Sequence, residues 1–158
     1  MRIREIKEKD NKQVESVIRT CLLEFGGNRE GLAWADPDLG EFSRVYSKEK
    51  TKYWVIEDHE GTILGGCGIG VIKGAPEDTC ELQKMYCLNE VRGTGISNKL
   101  MTIALDFAKE YYKYCYIETL SNMLAANRFY LKYGFEKLQE PLIKSEHYAC
   151  DAWYLKRL

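Results

Sequence analysis

The stretch best suited to chemistry is Arg92-Gly-Thr-Gly-Ile-Ser97, which follows a strand-like run ending near Leu88 and opens a long amphipathic segment. The first N–H groups of a helix have no partners within it. The aligned peptide dipoles add roughly half a positive charge at that end. Gly93 and Gly95 have no Cβ to hold a ligand away from the backbone, and Arg92 can add a charge-assisted bond to an oxyanion. The arrangement suits a pyrophosphate. A glycine pair alone is also found in plain tight turns. The stretch is not a Walker A loop, since no Gly-Lys-Ser/Thr follows. Nor is it the dinucleotide fingerprint, because Asn98 stands where the third glycine belongs and no early β-α-β unit precedes it.

Positioning this corner requires a strand before it and a helix after it. Cys80–Leu88 reads as the strand. The helix shows Ile96, Leu100, Ile103 and Phe107 at helical spacing. Upstream, Arg2–Ile6 alternates like a short strand. Asp10 can cap a helix through Val14, Val17, Ile18 and Leu22 that stops at Gly26-Gly27. Residues 28–50 are irregular. Tyr53–Asp58 and Thr62–Lys73 read as strands around a turn at His59-Glu60-Gly61. The glycines of the second run (Gly65, Gly66, Gly68, Gly70) point to bulges or close backbone approach. Downstream come a strand at Tyr114–Leu120 and a helix capped by Ser121 that carries Leu124, Ala125, Phe129 and Tyr133 and ends at Gly134. Two closing strands follow at Phe135–Leu138 and Ala149–Lys156. Strands and helices mixed in this order suit a central sheet covered on both faces.

Composition narrows the function class. The 158 residues fit one domain spanning 1–158. Lys plus Arg number 23 against 24 Asp plus Glu, a net charge of −1, so nothing favours a nucleic-acid or anionic-membrane surface. No segment approaches the roughly 20 apolar residues of a membrane helix, and the N-terminus lacks a signal-peptide core. A cytoplasmic location is expected. Of the six cysteines, none forms a Cys-x-x-Cys, and His59 and His147 complete no zinc pattern. Buried, reduced thiols and no metal site are expected.

Val91-Arg-Gly-Thr-Gly-Ile-Ser97 after a strand resembles the coenzyme A signature of the GNAT superfamily of N-acetyltransferases. Met123-x-x-Ala126-x-x-Phe129-Tyr130-x-x-x-Gly134-Phe135 resembles that superfamily's second signature, at a typical separation. The resemblance runs from about Lys52 to the C-terminus. It implies an α/β fold of the α+β type: a mixed, mostly antiparallel sheet with helices on both faces and a splay between its two middle strands. It implies acetyl-CoA as cofactor, with coenzyme A as product. Backbone groups of Met85, Tyr86 and Cys87 would pair with the pantetheine arm. The amides of Arg92, Gly93, Thr94, Gly95, Ile96 and Ser97 would hold the pyrophosphate. Met123, Ala126, Phe129 and Tyr130 would line the other side. Three positions depart from the pattern: Glu90, where Gln or Arg is usual and which must point outward, Ser97 for Gly or Ala, and Met123 for Asn.

The implied reaction is direct acetyl transfer to a primary amine of a small molecule or peptide in a ternary complex. At pH 7 the neutral form of a lysine-like amine costs about 4.6 kcal/mol, so a base helps. By resemblance that base is Glu81, with His147 or a water chain as alternatives. Tyr130 matches the tyrosine that protonates the departing sulfur. A backbone N–H at Met85–Cys87 would meet the developing oxyanion. By the same resemblance, residues 22–50 and the last hairpin frame the acceptor. The acidic residues Glu24, Glu30, Asp36, Asp38 and Glu41, against Arg29, suit a cationic amine there, and Trp34, Trp54 and Tyr86 could shape an apolar pocket. A catalytically silent coenzyme A-binding module of the same fold is the alternative function. A nucleotide-binding domain using the same turn is a more distant one. A monomer or a homodimer is expected.

Overall fold

A computed structural model describes residues 1–158. Its centre is a seven-stranded sheet formed by β1 (Arg2–Glu5), β2 (Lys52–Glu57), β3 (Ile63–Val71), β4 (Thr79–Cys87), β5 (Tyr114–Thr119), β6 (Glu136–Leu138) and β7 (Ala152–Arg157), in spatial order β1-β2-β3-β4-β5-β7-β6. Every neighbouring pair is antiparallel except β4–β5, which is parallel.

Four helices cover the sheet: α1 (Asn11–Glu24), the single turn α2 (Phe42–Val45), α3 (Ile96–Tyr111) and α4 (Leu124–Lys132). Alternation along β2 divides the core. Trp54 and Ile56 point to the α3/α4 face, whereas Tyr53 and Val55 point to the α1/α2 face. No helix is long and apolar enough to cross a membrane.

The helices differ from the sequence expectation in register and capping. On α3 the buried stripe runs through Ile96, Leu100, Met101, Ala104, Leu105 and Ala108. Ile103 lies beyond its margin and is exposed, and Phe107 packs its edge on Trp54 at 5.4 Å. Asp10 does not cap α1. Its carboxylate accepts the Lys7 amide (2.8 Å) and both terminal nitrogens of Arg4 (2.6 and 2.9 Å), because the nearby guanidinium offers charge-assisted bonds. Ser121 does not cap α4 either: its hydroxyl and amide both bond Asp151. The Asn127 side chain instead donates to the carbonyls of Leu120 and Met123 and secures the turn into α4.

The glycines of β3 let other groups approach. Phe42, Tyr46 and Tyr53 form an aromatic cluster with centroids 5.1–5.3 Å apart. A Cβ on Gly68 would lie 2.7 Å from the Tyr46 ring and 2.8 Å from the Tyr53 ring. The cluster reaches β4 through two phenols. Tyr46 donates to Gln83 Oε1 (2.8 Å), and Tyr53 donates to the Lys84 carbonyl (3.1 Å). Gly68 therefore makes room for the aromatic layer that holds β4 in place.

Gly68→Ala should lower unfolding free energy by about 1–3 kcal/mol through overpacking. Urea denaturation checks this, and an unchanged midpoint would show that the aromatic layer has slack.

Candidate active site

The site follows from one break in the sheet. β4 and β5 pair at Thr79↔Tyr114, Cys80↔Cys115 and Glu81↔Tyr116 and then part. β4 continues along β3 as far as Cys87↔Gly65, while β5 continues along β7 as far as Thr119↔Ala152. Beyond Glu81, β4 therefore has no strand partner on its β5 side. A bulge sharpens the split. Gly66 pairs with Tyr86 and Gly68 with Gln83, so Lys84 and Met85 together oppose one residue of β3. Lys84 adopts φ 52°, unusual for a side-chain-bearing residue. Such bulges re-aim backbone and side chains.

On the α3/α4 side the split opens into a groove of about 400 Å³. Met85, Tyr86, Cys87, Arg92, Gly93, Gly95 and Ser97 line one wall, and Met123, Ala126, Phe129 and Tyr130 line the other. At the groove's end the amides of Gly93, Gly95 and Ser97 have no acceptor within the protein. Gly93 and Gly95 hold φ 76° and 86°, with nothing within 4 Å of where a Cβ would stand.

Three residues of this corner are engaged differently. Arg92 turns back to α1: its Nε donates to the Cys87 carbonyl (2.8 Å), and its Nη atoms bond Glu24 (2.7 and 3.0 Å). Thr94 donates its hydroxyl to the Val91 carbonyl (2.7 Å) and accepts the Ile96 amide at 3.4 Å. The Ile96 side chain is buried in the core. Glu90 is exposed.

On the opposite side the split meets a cleft of about 590 Å³ lined by Glu81, Gln83, Lys84, Glu118, His147 and Asp36, among others. A tight pocket of about 60 Å³ between β4 and β5 joins the two spaces. It touches Met85, Met123 and Tyr130 from the groove, and Glu81, Glu118 and His147 from the cleft. The sequence candidates Glu81, His147 and Tyr130 thus share one passage.

Glu81 accepts from Gln83 Nε2 (2.7 Å), and Gln83 in turn accepts from Tyr46. Burial raises the Glu81 carboxyl above its ordinary value; Gln83 opposes the shift, and the neighbouring Glu118 adds to it. Burial likewise raises Glu118, which accepts from Ser145 Oγ at 2.8 Å. Glu118 was missed in the sequence. The signal for it is a lone charge within the apolar strand run Tyr116-Ile117-Glu118-Thr119. Tyr130 is buried, and burial raises its phenol, which keeps the hydroxyl proton in place. His147 places Nε2 2.8 Å from Asp36 Oδ1 and 3.3 Å from Lys84 Nζ, so this nitrogen is already occupied.

Other expectations are revised. Glu24 pairs with Arg92, Asp36 with Lys84, and Glu41 with Arg44, so internal cations cancel much of the acidity of residues 22–42. Trp54 is a core residue, and Trp34 stacks under Arg19 at 4.7 Å. Of the three aromatics, Tyr86 reaches the passage.

Comparison with known proteins agrees with this geometry. The model of the acetyltransferase (GNAT) domain matches residues 49–137. The uncharacterised N-acetyltransferase YjgM of Escherichia coli is 38% identical over 99% of this chain and 94% of its own length. A GNAT-family acetyltransferase of Staphylococcus aureus superposes with TM-score 0.83 at 20% identity, over 99% of this chain and 98% of that one. Rv2747 of Mycobacterium tuberculosis, solved in complex with CoA and NLQ, superposes with TM-score 0.73 at 14% identity, over 100% and 99%. The chain belongs to the GNAT family of N-acetyltransferases.

Carboxyl titration by carbon-13 NMR should show Glu81 and Glu118 ionising above the usual carboxylate range. Glu118→Gln should bring Glu81 down, because a like charge is removed. A Glu81 midpoint unmoved by that substitution would show that the two carboxyls are uncoupled.

Proposed function

We propose that this chain, working as one domain, moves the acetyl group of acetyl-coenzyme A to a primary amine of a small molecule or peptide by direct attack in a ternary complex. The observation that carries this reading is the single passage through the sheet, with free amides at one end and buried carboxyls at the other.

The groove residues fit the cofactor. Gly93, Gly95 and Ser97 present unpaired amides suited to a diphosphate. The unpaired side of β4 at Met85–Cys87 can bond an extended amide-bearing arm as an added strand would. Met123, Ala126 and Phe129 supply an apolar wall. When bound, acetyl-coenzyme A supplies a thioester-activated acetyl group whose sulfur departs as the new C–N bond forms.

The chain's own groups handle the protons. Glu81, with a carboxyl raised by burial above its ordinary value, takes the proton from the acceptor ammonium directly or through water. His147 serves less well at Nε2, since Asp36 already bonds it. Tyr130, kept protonated by burial, stands where groove and split meet and gives its proton to the departing sulfur. The oxyanion is met by a backbone N–H near the Lys84–Met85 bulge. The six unpaired cysteines support a reducing compartment such as the cytoplasm.

Coenzyme A at about 100 times its Kd should add ~2.7 kcal/mol of stability, a rise of several degrees in melting temperature, whereas ATP and NAD should give none. Gly95→Asp should abolish that rise by placing a carboxylate at the amides. A full shift in the variant, or an equal shift with ATP, would refute the cofactor site.

Tyr130→Phe should leave the coenzyme A shift intact and lower the acetylation rate about 10²–10⁴-fold. A panel of amines read by mass spectrometry measures this, and a wild-type rate would remove Tyr130 as the acid.

A further inference from the structure

The ionisable groups of the acceptor cleft are paired unevenly. Lys84 Nζ lies 2.5 Å from Asp36 Oδ2, and His147 Nε2 lies 2.8 Å from Asp36 Oδ1. The two donors are themselves 3.3 Å apart. Together they form a fork that gives one donor to each oxygen of a carboxylate. Asp36 already fills it, with all three side chains largely shielded: 11% exposed for Lys84, 14% for Asp36 and 24% for His147.

This occupant is delivered by a separate segment and held firmly. Asp36 follows the 3-10 turn Ala33–Ala35 and takes φ −64°, ψ 123°, the extended region that Pro37 imposes on its predecessor. Burial works against its charge, yet the bonds from His147 and Lys84 prevail and hold the carboxyl below its ordinary value. The fork is therefore filled by a charged group.

Glu81 and Glu118 stand in contrast. Each accepts a bond from a neutral side chain, Gln83 or Ser145, and neither has a Lys or Arg within salt-bridge distance. Lys48, Lys73 and Lys144 border the same cleft but are exposed at its rim. An ammonium entering the cleft finds carboxyls with open acceptor capacity. A carboxylate entering with it finds three carboxyl side chains and no unpaired cation on the floor.

We propose that Asp36 is a specificity-determining residue: as an internal carboxylate it fills the Lys84–His147 fork and directs the enzyme to amines without a carboxylate beside the reacting nitrogen. Free amino acids are rejected because the place for their carboxylate is taken, and repulsion from a wrong partner is an economical route to selectivity. This rests on the acetyl-transfer reading and names its acceptor class.

Matched pairs differing by one carboxylate beside their one primary amine test it: tyramine against tyrosine, agmatine against arginine, phenethylamine against phenylalanine. Wild-type kcat/KM should favour the decarboxylated member of the accepted pairs by about a hundredfold, as juxtaposed like charges require. Asp36→Asn frees the fork and should narrow that ratio to about tenfold or less. Adding Lys84→Gln to Asp36→Asn should reopen the gap, since the freed cation is then gone. Both members of a pair meet the same folded enzyme, so the ratio is insensitive to partial unfolding. Equal use of amino acids by the wild type, or ratios untouched by Asp36→Asn, would overturn the proposal while leaving acetyl transfer standing. Absence of transfer to all six compounds would count against the acetyl-transfer reading. The same pairs would then be compared by thermal shift with coenzyme A bound, under the same criteria: preference for the amine, lost in Asp36→Asn, supports the proposal, and no preference overturns it.

Discussion

The proposed site depends on two parallel strands that stop pairing. A β-strand inside a protein is costly to leave unpaired, because each backbone N–H and C=O taken from water needs a partner. β4 and β5 nevertheless part after Glu81 and Tyr116, each held by its outer neighbour. A bulge falls on β4 at Lys84, and the Tyr53 hydroxyl secures it by donating to the Lys84 carbonyl. The resulting edge is open to a cavity on each side of the sheet, and in the proposed function a ligand running along it would complete the missing hydrogen bonds.

The rest of the fold supports that gap. The glycines of β3 admit the Tyr46–Tyr53 layer, which in turn orients Gln83 and, through it, Glu81. The turn into α3 sets the unpaired amides of Gly93, Gly95 and Ser97 at one end of the groove. α4 supplies the facing wall, and its turn is fastened by Asn127, which also accepts from the Tyr154 hydroxyl of β7. Charge is distributed accordingly: cations are absorbed by internal carboxylates at Arg92–Glu24 and Lys84–Asp36, while the two carboxyls in the passage keep free acceptor capacity. Burial raises both of those carboxyls, a condition suited to exchanging protons with an amine.

Much of this is legible in the sequence. The strand–turn–helix around Gly93 and Gly95, the second motif through Phe129, Tyr130 and Gly134, and the element order all follow from local periodicity and turn chemistry. The mixed sheet and its splay were implied by resemblance, and strand pairing confirms both. What escaped was set by distant partners. Arg92 reads as a phosphate ligand until Glu24, 68 residues away in sequence, is seen to hold it. Asp10 and Ser121 read as helix caps, but Arg4 and Asp151 provide stronger bonds. Asp36 reads as one acid in a loop, because nothing local shows that Lys84 and His147 converge on it. Glu118 was visible only as an unexplained charge in an apolar strand.

The central claim is that the unpaired side of β4 and the front of α3 form one binding surface. Hydrogen exchange followed by mass spectrometry, with and without coenzyme A, tests it most directly. Exchange should slow together at Met85–Cys87 and Gly93–Ser97 and stay unchanged in β1 and β2 on the far edge. Tight binding with neither segment protected, or protection confined to the Asp36 side of the sheet, would contradict it.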